Sequence, residues 1–113
     1  MSNDTIKALA ATIRARRAAT AEKSYTKSLL EAGVSKCARK FGEEAVETVI
    51  AALEGDRAAL TGEAADVIYH LMVLLEASDC AFDEVLMELE RRMGQSGHEE
   101  KAARSGSFDR TGP

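Results

Sequence analysis

Apolar residues recur along this chain at three- and four-residue intervals in four long stretches, the period of one face of an α-helix. The first stretch covers residues 5–19. Ile6, Leu9, Ala10 and Ile13 form its stripe, and Arg14, Arg16 and Arg17 gather near its end, where positive charge suits the helix dipole. A shorter turn follows over residues 24–33, with Ser24 placed to cap it and Gly33 to end it in a left-handed conformation. The second long helix is predicted from Val34 to Leu53. Its core-facing stripe is Cys37, Ala38, Phe41, Ala45, Val49, Ala52 and Leu53, and it stops at Gly55-Asp56. The third begins between Asp56 and Thr61 and runs to Ala77. The fourth follows the Ser78-Asp79-Cys80 break, with Phe82, Val85, Leu86, Leu89 and Met93 on one face.

The third helix differs from the others. Val67, Ile68, Leu71, Met72, Val73, Leu74 and Leu75 make it apolar nearly all round, so it needs cover on several sides. A chain of 113 residues has only a modest core to offer, and a second copy is expected to supply the rest. The sole proline is Pro113, so nothing interrupts the helical stretches. The expected fold is therefore all-α: a bundle of four to five helices, completed by homodimerisation. It forms a single domain over residues 1–104. Beyond Gly94 the composition turns to Gly, Ser, Arg and Glu; a short helical piece fits residues 98–104, and residues 105–113 are expected to form a disordered tail.

A formal net charge of -4 argues against nucleic-acid binding, which favours a basic surface. The longest apolar run, Val67–Leu75, is interrupted by His70 and falls short of a bilayer span. The N-terminus lacks the basic and apolar regions of a secretory signal. A cytoplasmic protein with no nucleic-acid or membrane partner is expected, with Cys37 and Cys80 as buried free thiols.

The residues that carry chemistry are acidic. Glu44 and Glu47 on the second helix, and Glu63 and Asp66 on the third, share a three-residue spacing that sets each pair on neighbouring turns of one face. Two such helices packed antiparallel would bring four carboxylates together. For the Glu43–Glu47 segment alone, a solvated helix face is as good a reading. That reading is harder to hold for Glu63 and Asp66, which share a stripe with Val67, Val73 and Leu74. Clustered carboxylates repel one another unless a cation is present, and their hard oxygens suit Mg²⁺, with Mn²⁺ possible. Zinc fits poorly, because His70, His98, Cys37 and Cys80 make no close ligand pair. Neither a nucleophile elbow nor a glycine-rich phosphate loop is present. Lys36 and Lys40 share a stripe with Glu43 and Glu47. They either form ion pairs along the helix or hold phosphate oxygens beside the metal.

The double spacing, Glu44-x-x-Glu47 and then Glu63-x-x-Asp66, resembles the signature of the all-helical nucleoside triphosphate pyrophosphohydrolases, the MazG-like superfamily. Four surrounding segments, Ser24–Thr26, Lys40–Glu47, Glu63–Leu71 and Ser96–Arg104, are similar to the phosphoribosyl-ATP pyrophosphohydrolase family. The resemblance implies cleavage of phosphoribosyl-ATP to phosphoribosyl-AMP and pyrophosphate, the second step of L-histidine biosynthesis, with Mg²⁺ and as a homodimer. It further implies metal ligation by Glu44, Glu47, Glu63 and Asp66, with Glu43 or Glu47 as general base. Substrate contacts are expected from Tyr25, Lys36, Lys40, Lys101 and Arg104. His70, one turn after Asp66, either supports a carboxylate or packs in the core or an interface. Cys37, Phe41 and His98 stand where the family more often has aliphatic residues. Two rival functions remain: a relative acting on another nucleotide, and a non-catalytic helical dimerisation module.

Overall fold

A computed structural model of the chain describes residues 4–94, and Lys101, Arg104, His98 and the tail lie outside the described residues. Among the described residues all regular structure is helical. In chain order these are α1 (Asp4–Ala15), a 3₁₀ turn (Arg16–Ala18), α2 (Tyr25–Ala32), α3 (Val34–Glu54), α4 (Arg57–Ala77) and α5 (Phe82–Met93). They fall into two compact units that divide between Phe82 and Asp83.

Each helix start and stop has a local cause. The Ser24 hydroxyl accepts a hydrogen bond from the Lys27 N–H at 3.1 Å and caps α2. The Asp56 carboxylate accepts one from the Ala59 N–H at 3.0 Å and caps α4, so the third helix begins at the earlier of its two expected points. Gly55 closes α3 in the left-handed region at φ 75°, which glycine tolerates without a Cβ clash. Gly33 also takes a positive φ of 96°, yet its ψ of 174° is extended. It ends α2 and opens α3 at once: its N–H donates to Leu29 and Leu30, while its carbonyl accepts from the Cys37 N–H. The first helix is shorter than its periodicity suggested, because the chain tightens into the 3₁₀ turn after Ala15.

The core of the first unit is Ile13, Leu29, Cys37, Met72 and Val73. It therefore lies where α1, α2 and the start of α3 meet the C-terminal half of α4. Arg17 fastens the 3₁₀ turn to this end of α4 through the Glu76 carboxylate and, at 2.6 Å, the Glu76 carbonyl. The Arg17 carbonyl in turn accepts a hydrogen bond from the Lys27 ammonium of α2 at 2.6 Å. Cys37 is buried as expected, its thiol donating to the Leu29 carbonyl at 3.3 Å, whereas Cys80 is only half-buried; both are free.

The second long helix corrects its own pattern. Val49 and Leu53, placed on the core stripe by periodicity, are 57% and 83% exposed. Instead α3 turns Cys37, Phe41, Glu44, Thr48 and Ala51 inward, and a second apolar stripe of Val46, Val49, Ile50 and Leu53 stays open. The cause is the antiparallel hairpin with α4, the most extensive helix pairing in the structure. Only one face of α3 can be covered by one partner, and Ala51 permits a close approach there.

By length and composition alone α4 could cross a membrane, a broader reading than the interrupted Val67–Leu75 run allowed. Its pairing with α3 and its Glu63, Asp66 and His70 suit a helix of the bundle instead. In the second unit, α5 carries Asp83 and Glu84 in its first turn and Arg91 and Arg92 in its last, both matched to the helix dipole. Glu88 pairs with both arginines, which hold its carboxyl down at about 2.

Val73 is fully buried at the centre of the core. Val73→Ala should destabilise the protein by about 2 kcal/mol through lost burial and a residual cavity. Thermal unfolding should show a melting point lower by roughly 8–16 °C; a drop within about 2 °C would mean the core lies elsewhere.

Candidate active site

The Gly55-Asp56 corner leaves α3 and α4 no choice but to run antiparallel, and the acidic residues of one helix come level with those of the other. Glu44 and Glu63 sit half-buried on the facing stripes, while Glu47 and Asp66 are exposed at the rim. One carboxylate oxygen each from Glu44, Glu63 and Asp66 lies within 4.8 Å of the other two. The structure thus assembles three of the four expected metal ligands around one point. Glu47 is not within that radius, but its charge acts on Glu63.

Electrostatics follow from this crowding. Partial burial and then the charges of Glu47, Glu44 and Asp66 push the Glu63 carboxyl above its ordinary value of 4.5. A hydrogen bond with Glu44 raises it further, as expected of two carboxyl groups that share a proton more readily than they share charge. A divalent cation would reverse that preference by pairing with the ionised form, and three hard oxygens from two rigid helices fit Mg²⁺ or Mn²⁺.

Around the cluster the other expected residues divide. Lys40 lies beside Glu43 at 3.4 Å, three residues along the same helix, and that bond raises the lysine's pKa, with the Tyr25 hydroxyl adding to it. Lys36 is half-buried one turn upstream on α3. Tyr25 opens α2 and is 55% exposed, on the side of the site bordered by Lys40. His70 is buried, and its Nδ1 has no hydrogen-bond partner among the described residues, so it does not brace a carboxylate through that atom. Sequence reasoning missed Tyr69 and Thr26. Their hydroxyls bond to each other across α4 and α2, and no periodicity announces a pair 43 residues apart.

Comparison with known proteins bears on this geometry. The profile of the phosphoribosyl-ATP pyrophosphohydrolase family matches residues 6–93, which include the whole carboxylate cluster. The chain belongs to this family. A phosphoribosyl-ATP pyrophosphatase of Dinoroseobacter shibae is 62% identical over 85% of this chain and 94% of its own length. A protein of the same name from Rhodobacter capsulatus is 60% identical over 85% and 93%. Another, from Azorhizobium caulinodans, is 55% identical over 95% of this chain and all of its own length. The match runs through both long helices.

The raised Glu63 carboxyl gives a pH prediction with a definite sign. A folded-state pKa above the unfolded value means that the folded protein binds the proton more tightly. The resulting stability is present below about 4.5 and lost as pH rises through the raised value. Without divalent ions, Glu63→Gln should therefore melt higher than the parent at pH 7, with the difference shrinking towards pH 4. Calorimetry showing the variant no more stable at pH 7 would remove the repulsion argument.

Proposed function

We infer that this chain hydrolyses phosphoribosyl-ATP between its α and β phosphates, releasing phosphoribosyl-AMP and pyrophosphate, in the second step of histidine biosynthesis. The observation that carries this reading is the convergence of Glu44, Glu63 and Asp66 in a chain of the phosphoribosyl-ATP pyrophosphohydrolase family. Those three residues, with Glu47 beside them, would hold Mg²⁺ or Mn²⁺. The ion, when bound, neutralises charge on the phosphate oxygens and on the departing pyrophosphate.

The protein's own residues do the rest. Water attacks the α-phosphorus, the bond to the bridging oxygen breaks, and pyrophosphate leaves with that electron pair. The water proton passes to a carboxylate. Glu47 suits this role better than Glu43, because its charge acts on Glu63 of the cluster while Glu43 is engaged by Lys40. Lys40 offers its charge and three donors to the triphosphate, with Lys36 one turn behind. Tyr25 presents an exposed ring to the base.

The same reading accounts for the uncovered apolar surface. Val46, Val49, Ile50 and Leu53 form an open stripe on α3, and Ile68 on α4 is 42% exposed. So much exposed apolar surface suits contact with a second copy, giving a soluble homodimer in the cytoplasm. The net charge of -4 does not suit nucleic acid.

Two experiments test these points. Glu47→Gln and Asp66→Asn keep side-chain shape but remove a charged oxygen, so pyrophosphate release from phosphoribosyl-ATP with Mg²⁺ should fall by at least about a thousandfold, more than 4 kcal/mol of transition-state stabilisation. Circular dichroism should stay native; turnover near the parental rate in either variant takes that residue out of the site. Sedimentation at micromolar concentration should give twice the formula mass of 12.1 kDa. A monomer at every concentration would defeat the dimer.

A further inference from the structure

One group remains unexplained by the phosphate chemistry. His70 is 6% exposed, and its Nδ1 is buried without a partner among the described residues. Buried polar atoms are nearly always paired, so this nitrogen calls for a partner that the described residues do not supply. The ring stands edge-on to Tyr69 at 5.0 Å and 79°, and edge-on to Tyr25 at 6.1 Å and 87°. Tyr25 and Tyr69 lie nearly parallel, 19° apart in plane and 6.4 Å between centroids. The charges that face His70 are Glu43, Glu44 and Lys40 from α3 and Asp66 from its own helix. This aromatic trio therefore borders the carboxylates where α2 meets α4.

We propose that Tyr25, Tyr69 and His70 form the purine-recognition wall of the site, Tyr25 stacking on the base and the unpaired His70 nitrogen hydrogen-bonding its polar edge. His70 is then a specificity-determining residue. Tyr69 is a positioning residue: its hydroxyl bond to Thr26 ties the start of α2, and with it Tyr25, to α4. Burial lowers the His70 pKa against the pull of the neighbouring carboxylates and so favours the neutral ring. A neutral imidazole offers one donor and one acceptor, which match a heterocycle edge better than a phosphate. An exposed tyrosine face supplies stacking on any base, worth about tenfold or more in affinity.

The proposal rests on the site being one for a nucleotide, and its test separates the two. The chain has no tryptophan, and its two tyrosines are Tyr25 and Tyr69, so its intrinsic emission arises from this wall alone. AMP added to the full-length protein should quench that emission saturably, after correction for absorbance, and ribose 5-phosphate should not. No response to AMP, or an equal response to both, overturns the proposal. His70→Phe keeps the ring and removes the nitrogens. With phosphoribosyl-ATP it should raise KM about tenfold, leave kcat within about twofold and not lower the melting temperature. His70→Asn, with an amide near the Nδ1 position, should bring KM back to within about threefold of the parent. A parental KM with a lowered melting temperature in the Phe variant means packing only and sinks the wall. Should the Phe variant fail to fold, the AMP titration still decides. If AMP quenches emission but phosphoribosyl-ATP is not cleaved, the proposed reaction falls and the wall stands; the opposite pair of results removes the wall alone.

Discussion

Everything at the acidic site depends on how α3 turns into α4. The two helices are joined only by Gly55 and Asp56, and a corner that short forces them side by side and antiparallel. Glu47 and Glu63 stand eight residues to either side of Gly55, and Glu44 and Asp66 stand eleven. At equal rise per residue, members of each pair come to the same height on facing helices. The glycine at the corner is there because α3 must end in the left-handed region, and the aspartate because α4 needs a cap. Neither touches the site, yet inserting a residue between them would turn the acidic faces out of register.

That arrangement carries a cost which the rest of the fold absorbs. Partial burial, and then like charges held together on rigid helices, disfavour the ionised folded state and push the Glu63 carboxyl up. The molecule separates this strain from the packing that holds it. Ile13, Leu29, Cys37, Met72 and Val73 gather around the C-terminal half of α4, while Glu63 and Asp66 occupy its N-terminal half. One long helix is anchored by apolar contacts at one end and carries repelling charge towards the other. The acidic cluster can then remain mutually repulsive without unfolding the bundle.

The sequence made the helices legible because each strong signal was local. Ser24, Asp56 and Gly55 are caps readable within a few residues, and the acidic spacing needs only helical periodicity and an antiparallel pair. What sequence could not supply was the choice between two apolar stripes on α3. Val49 and Leu53 fit one helical stripe as well as Thr48 and Ala51 fit another, and only the α4 partner decides which is covered. The same limit applies to Tyr69 and Thr26, whose contact depends on how α2 folds back. His70 was visible as a residue near the acidic stripe, but burial with an unpaired nitrogen is a property of packing and leaves no trace in spacing.

Selectivity in such a site cannot come from the carboxylates. Glu44, Glu63 and Asp66 would meet only a cation and phosphate oxygens, and every nucleoside triphosphate would offer those equally. Discrimination requires groups outside the hairpin whose position is nevertheless fixed relative to it. The first turn of α2 meets that condition through three separate ties. Thr26 bonds Tyr69 of α4, Leu29 is buried in the core, and Lys27 reaches the carbonyl of Arg17, which itself grips Glu76. Tyr25 therefore stands on an anchored backbone while more than half of it stays exposed to solvent. Exposure without such anchoring would cost binding energy to order the ring, and anchoring without exposure would leave no face to bind. The connection from α1 through the 3₁₀ turn, which carries no chemistry of its own, supplies the anchoring.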